Sequence, residues 1–204
     1  MPVAVFPAPP QGGPPRAPFP TWIANLALSH IAAVPITELN ETSKQALSVA
    51  RMFWPTTDEC LADHDWNFAR VYSPPLAEVV VDNFEWDHAF QLPSEPYCLV
   101  VRGTDGDIDK EPWVVAGRYI FTDASTIQIR YTARVLDPGQ WSPHFVTALS
   151  YLLASKLAYP ITKSQSVADQ MFKVYESRLS RARSNNGLEG PARTVRSSSL
   201  TEVR

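Results

Sequence analysis

The side chains able to do chemistry are few and poorly grouped. Cys60 and His64 stand four apart, so on a helix they share a face and offer two metal ligands. A structural zinc takes four ligands, and His30, His88, His144 and Cys98 supply no second paired spacing. The pair therefore reads as a buried thiol and a capping or stacking imidazole, and no metal is expected. The run Asp105-Gly106-Asp107-Ile108-Asp109 superficially resembles a calcium loop. Counted from Asp105, its sixth position is Lys110 where an EF-hand turn requires Gly, and its twelfth is Ala116 where a bidentate Glu is required. A looser calcium site stays open beside the plainer reading, an acidic hairpin tip.

Nucleophile motifs are missing. No Ser or Cys sits in a Gly-flanked elbow, and no Gly-rich loop ends in Lys-Ser or Lys-Thr. Asp63, His64 and Asp65 sketch an orienter and a base, but adjacent helical residues diverge by about 100° and do not converge on one substrate. Asp87-His88 is similarly isolated. A hydrolase using His64 or His88 is thus the weakest reading, and no enzymatic activity is expected. Trp86, Trp113 and Tyr119 raise an alternative, a sheet that displays aromatics to a carbohydrate or receptor. Their ordinary reading is core or subunit interface.

The 204 residues suit about one domain, and 45% apolar with 19% charged residues suits a chain burying roughly 70% of its unfolded surface. Two cysteines exclude a disulfide scaffold and fit a reducing compartment. The first fifteen residues carry no Lys or Arg and are broken by prolines, which argues against a signal peptide. Residues 17–37 and 138–155 lack Asp, Glu, Lys and Arg, yet both hold Pro, Ser, His and Asn or Gln, so neither reads as a bilayer span. Eight glycines against nineteen prolines argue for stiff ends and edges.

The net charge of −3 is unevenly spread. Residues 178–204 hold Arg178, Arg181, Arg183, Arg193, Arg196 and Arg204 against Glu189 and Glu202, or +4. Arg16 is the one charged residue in 1–20, which leaves 11 basic and 19 acidic residues in 21–177, or −8. An acidic body displaces few counterions from a phosphate backbone and so binds DNA poorly, though it can line a passage through which DNA slides.

These residues need elements to position them. Eight prolines in 1–20 forbid a helix or interior strand and predict an extended polyproline-like arm, with Phe6 and Phe19 as anchors. Thr21 is the expected N-cap of a first helix running until Pro35, and Thr42 or Ser43 starts a second, which Pro55 should kink or break. Strands are expected at Leu76–Val81, Cys98–Arg102, Trp113–Val115, Arg118–Phe121 and Thr126–Val135, arranged as one small antiparallel meander. Ser142-Pro143 opens a third helix running to Pro160, and a last one begins in 162–166 and ends near Asn185-Asn186-Gly187. The reading is α+β: an arm at 1–20, helices in 21–66, an inserted β region at 67–137, helices at 138–185 packing back on 21–66, and a flexible basic tail at 186–204.

The order of particular residues carries a resemblance. Asn25, Ala27 and Leu28 lead a short helix, followed by Ile31, Pro35-Ile36, Ser43, Ala46 and Ala50. Leu61, His64, Trp66, Phe68 and Ala69 close the segment. Later come Leu92-Pro93, Gly117, Ile129-Arg130-Tyr131, Asp137, Trp141-Ser142-Pro143, Leu152, Ala154, Leu157, Ala158 and Pro160-Ile161-Thr162. This series, covering about 22–183, resembles the tail tubular protein A family, the head-to-tail adaptors of podovirus-type bacteriophages. Two departures stand out: Ala32-Ala33 where the family has Gly after the first helix, and the proline-rich arm.

The resemblance implies a helical bundle with an inserted β region and neither cofactor nor catalytic residues. It implies a homo-oligomeric ring, commonly of twelve, between the portal and the tail nozzle or tube of a virion, assembled in the host cytoplasm around passing genomic DNA. By analogy with related connectors, Arg178, Arg181, Arg183, Arg193 and Arg196 form the expected portal-facing set.

Overall fold

Ser142 caps the longest apolar helix, its side-chain oxygen accepting from the Phe145 amide, and Pro143 stands at the first helical position, where its missing N–H costs nothing. This helix, α3 (Pro143–Thr162), is buried at Phe145, Leu149, Leu152, Leu153 and Leu157. The computed structural model describes residues 20–105 and 111–188, with side chains through Asn185. The expected arm, the loop residues Asp107 and Asp109, and Arg193 and Arg196 of the basic tail lie outside the described residues.

Around α3 stand α1 (Thr21–His30), α2 (Lys44–Ala62) and α4 (Gln165–Leu188). All four contribute to one apolar cluster, through Ile23 and Leu28, Phe53 and Leu61, Leu149 and Leu152, and Tyr175 and Leu179. Each large side chain fully buried there contributes roughly 1.5–3 kcal/mol.

Several boundaries differ from expectation. Pro20 occupies the N-cap position of α1 and Thr21 is already helical. The helix ends at His30 rather than at Pro35, because Ala32 turns left-handed (φ 52°). The Ala33 amide then reaches the Leu28 carbonyl at 3.0 Å and the Ala32 amide the Ser29 carbonyl at 3.1 Å, a Schellman closure built on Ala instead of Gly. Pro55 lies inside a continuous α2. It sits on the exposed side, where the carbonyl it leaves unpaired meets water, while Phe53, Thr56, Thr57 and Cys60 are buried on the other. By contrast α4 starts at Gln165 and is described as far as Leu188, next to the expected stop at Asn185-Asn186-Gly187.

Between α2 and α3 the chain forms β1 (Arg70–Tyr72), β2 (His88–Gln91), β3 (Cys98–Thr104), β4 (Trp113–Ala116), β5 (Tyr119–Thr122) and β6 (Ile129–Ala133). They make two three-stranded antiparallel sheets, ordered β1-β6-β3 and β2-β5-β4, instead of one meander. Only β4 and β5 are sequence neighbours that pair. Phe90, Cys98, Ile120, Ile129 and Tyr131, from strands of both sheets, share a second apolar cluster. The expected strand Leu76–Val81 is replaced by an irregular segment with one bridge, Glu78 to Phe90. The chain is thus α+β, with four helices and two small sheets among the described residues.

Candidate functional site

The polar residues singled out by sequence gather mainly where α2 hands the chain to the sheets. Trp66 is buried there, its indole N–H donating to the Cys60 carbonyl at 2.9 Å. Its ring meets Phe145 edge-on at 5.1 Å, and Phe145 in turn meets Phe68 and Trp141 at 5.2 Å. His64 stands edge-on to Trp66 at 5.0 Å. Ala69, Leu61, Ala27 and Leu28 are fully buried, and Asn25 clamps the loop after α1 by exchanging two hydrogen bonds with the Ile36 backbone at 2.8 and 2.9 Å. Seven of the eight signature residues therefore serve packing, and the eighth, Asn25, fixes a turn.

Charge around this joint is spent internally. Asp65 accepts from both Arg70 and Arg130. Arg102 donates to the Ala62 carbonyl at 2.6 Å and to the Thr132 hydroxyl at 2.8 Å, fastening β3 to the end of α2. Arg134 grips Asp58 with two hydrogen bonds, at 2.9 and 2.5 Å. On the α4 side the Tyr175 hydroxyl donates to Asp63, and Arg183 reaches the Asp63 carbonyl at 2.9 Å.

Burial sets the protonation of these groups. It pushes the Cys60 thiol far up, helped by the nearby Asp63 carboxylate, and pushes the Tyr175 hydroxyl up as well. Both stay protonated at neutral pH, so the Cys60–Tyr175–Asp63 row offers no thiolate or phenolate. Burial, and then the charge of Arg183, lowers His64 below its ordinary range, which favours a neutral ring. His30 is lowered by burial and then by Arg178; it stacks on Tyr151 at 4.0 Å and lies 3.1 Å from the Ser150 hydroxyl. Among the described residues, no three His, Cys, Asp or Glu side chains form a metal-holding group.

The other candidates do not converge. His88 sits on β2 against Glu78, 2.7 Å away, in a different part of the molecule from His64. Cross-strand register pairs Trp113 with Thr122 and Ala116 with Tyr119, three residues apart on a two-residue repeat. Trp113 and Tyr119 consequently face opposite sides of their sheet and form no common platform. Trp86 lies in the loop before β2, its indole nitrogen buried without a partner among the described residues.

Of the arginines, Arg178 lies over the Tyr151 ring at 5.8 Å, and Arg178, Arg181 and Arg183 are all exposed on α4. Arg181 and Arg183 diverge by about 200° around the helix, so the three do not make one face.

Sequence reasoning missed the arginine fastenings at Arg70, Arg102, Arg130 and Arg134. Their signal was polar residues interrupting apolar strands, but only Arg70 has its partner nearby, five residues away at Asp65; those of Arg102, Arg130 and Arg134 lie 40, 65 and 76 residues away. It also missed a cleft of about 470 Å³ between β3 and β4, where Arg118 and Arg134 lie over the Tyr97 ring at 4.2 and 4.4 Å. Comparison with protein-family models and with curated proteins returns no match.

Proposed function

We propose that this chain is a structural virion protein, a head-to-tail adaptor of the tail tubular protein A type. It acts by ring formation between portal and tail nozzle around the DNA passage, and through its surfaces instead of a reactive group. The observation that carries the reading is the use made of the signature residues. Ala27, Leu28, Leu61, Trp66 and Ala69 are buried in the helical cluster with Phe68 packed against it, Asn25 pins the loop after α1, and burial with Arg183 lowers His64 beside Trp66. A series of residues that specifies a shape and leaves no activated nucleophile suits a scaffold.

In this reading the N- and C-terminal helices form a bundle from which the β region projects. A ring subunit needs two unlike faces, because a head-to-tail contact must match one patch to another and close. Helices on one side and sheets on the other supply them. The acidic body lets DNA pass without a binding trap. Arg178, Arg181 and Arg183 on α4, with Arg193 and Arg196 beyond it, make charge-assisted contacts to portal carboxylates.

The test is particle imaging and mass measurement of the full chain with and without portal rings from the same virus. A closed ring on the portal is expected, and truncation after Asn185 should weaken docking more than it harms folding. A chain that stays monomeric in both conditions overturns the adaptor reading. Unaltered docking by the truncated chain removes the arginine assignment.

A further inference from the structure

The sheet β2-β5-β4 carries unlike patches on its two edges. On the β2 side, Ala77–Val79 runs alongside the strand, with the Val79 amide donating to the Ala89 carbonyl at 2.8 Å and the Gln91 amide to Ala77 at 3.2 Å. The chain then leaves the sheet as a loop to Asp87. Val80 is fully exposed and Phe84 is 94% exposed. Asn83 shapes the loop, its side-chain oxygen accepting from the Glu85 and Trp86 amides at 3.3 and 2.8 Å. Glu78, Asp82, Glu85 and Asp87 are all exposed, and residues 76–87 contain no Lys or Arg. Apolar side chains of that size, fully in water beside a run of carboxylates, mark a contact surface.

On the opposite edge, β4 pairs with β5 on one side only among the described residues, and Val114 and Val115 are 41% and 39% exposed. Beside it opens the β3–β4 cleft, whose walls include Leu92, Leu99, Val101 and Val115. Two cations reach it. Arg134 is neutralised by Asp58. Arg118 donates to the carbonyls of Leu92, Pro93 and Cys98 and is in no ion pair among the described residues. The cleft thus sets aliphatic walls beside polar ones and holds, among the described residues, one cation without an ion-pair partner. It lies three strand spacings, roughly 14 Å, from the Ala77–Val79 segment, too far for one subunit's loop base to fold over it within the sheet plane.

We propose that the Val80–Asp87 loop of one copy seats in the β3–β4 cleft of a second copy, with Phe84 against the apolar walls and the loop carboxylates facing Arg118. Charge complementarity selects the occupant: the loop carries carboxylates around an exposed ring, and the cleft carries Arg118 beside the aliphatic side chains of Leu92, Leu99, Val101 and Val115. Two loops meeting each other would bring six carboxylates together, Asp82, Glu85 and Asp87 from each, so a contact between like patches is disfavoured. Because the two patches sit on opposite edges of one sheet, a pair is left with one free cleft, on the copy whose loop is seated, and one free loop, on the copy whose cleft is filled. Copies therefore add head to tail, and the series closes into a ring when the rotation permits. This deepens the ring proposed above by naming its contact, and it does not depend on a portal.

Site-directed cross-linking of the full chain tests it. Cys60 and Cys98 are buried, and burial pushes the Cys98 thiol up to about 11, so introduced thiols react selectively. The double variant D82C/V114C places one thiol on the loop and one on β4 while keeping Phe84, Glu85 and Arg118. With a short bis-maleimide it should give a ladder of trimers and larger species, whereas D82C and V114C alone stop at monomer or dimer. Adding E85K, or separately F84S, should lower ladder yield at least tenfold; both positions are exposed, so loss of folding is not the cause. A double variant that stops at dimer overturns head-to-tail association, and a ladder indifferent to E85K and F84S overturns the assignment of the loop. A ladder from a chain that fails to dock on portal removes the adaptor reading and leaves this contact standing. Portal docking without a ladder does the reverse.

Discussion

In the helical half, α3 is covered by α1, α2 and α4, and its leucines lose all contact with water. In the sheet half, short strands of three to seven residues enclose a smaller cluster and leave Val80, Phe84, Val114 and Val115 exposed. The first region closes its apolar surface within one chain. The second closes its polar backbone through arginines, with Arg102 on Ala62 and Arg118 on Leu92, Pro93 and Cys98, and keeps apolar surface outward. If the contact proposed above forms, stability and association fall to different parts of the molecule, and each can change without the other.

The largest expected effect is at Phe145, where the helical cluster meets the joint. It contacts Trp66, Phe68 and Trp141 in edge-on geometry, so Phe145→Ala removes three ring contacts along with the buried area. Denaturant titration should show a loss of about 3–5 kcal/mol. Phe90→Ala, in the thinner sheet cluster, is the comparison; a greater loss there would reverse the ranking of the two regions.

The legible part of the fold follows the same division. Ser142-Pro143 and Ser43 were readable because a cap acts within three residues, and both side chains accept the expected amide. The sheets were not, because pairings such as Arg70 with Thr132 join segments far apart in sequence, and nothing local distinguishes two sheets from a meander. Leu76–Val81 has the apolar texture of a strand, yet its Val80 faces water. Of the two outcomes expected at Pro55, the break does not occur: α2 is continuous, and burial of Phe53 and Cys60 offsets a cost of about 3 kcal/mol. At the joint, the aromatic series was visible in sequence, whereas the grip of Arg134 on Asp58 was not.

A smaller effect sharpens the account of the helical half. Ala32 holds a left-handed conformation that an L-residue adopts at a cost of about 1–2 kcal/mol. Ala32→Gly relieves it but adds freedom to the unfolded chain, so thermal and denaturant unfolding should show a net gain of about 1 kcal/mol or less. A loss would mean that the methyl group packs usefully against its surroundings.

The helical half should also carry a pH signature. Burial, then Arg178, holds His30 below its ordinary value, so below about pH 6.5 the unfolded chain takes up a proton that the folded chain resists. Stability from this group is present above that pH and is lost as pH falls. His30→Gln retains a polar partner for Ser150 but does not titrate. Its stability should decline less than that of the natural chain between pH 7 and 5, in paired denaturant titrations. Equal slopes would show that His30 does not contribute to the acid response.

The smallest folding effect belongs to Phe84, and its smallness is what decides the comparison. The ring is almost wholly in water, so replacing it with Ser removes little burial from the single chain. Phe84→Ser should leave unfolding free energy within about 0.5 kcal/mol of the natural value. The same change should sharply reduce cross-linking between copies, since only there does the ring leave water. A chain destabilised by more than this would place Phe84 in its own subunit's packing, and the sheet half would then resemble the helical half. A variant unchanged in both measurements would leave the exposed ring with no part in either region's work.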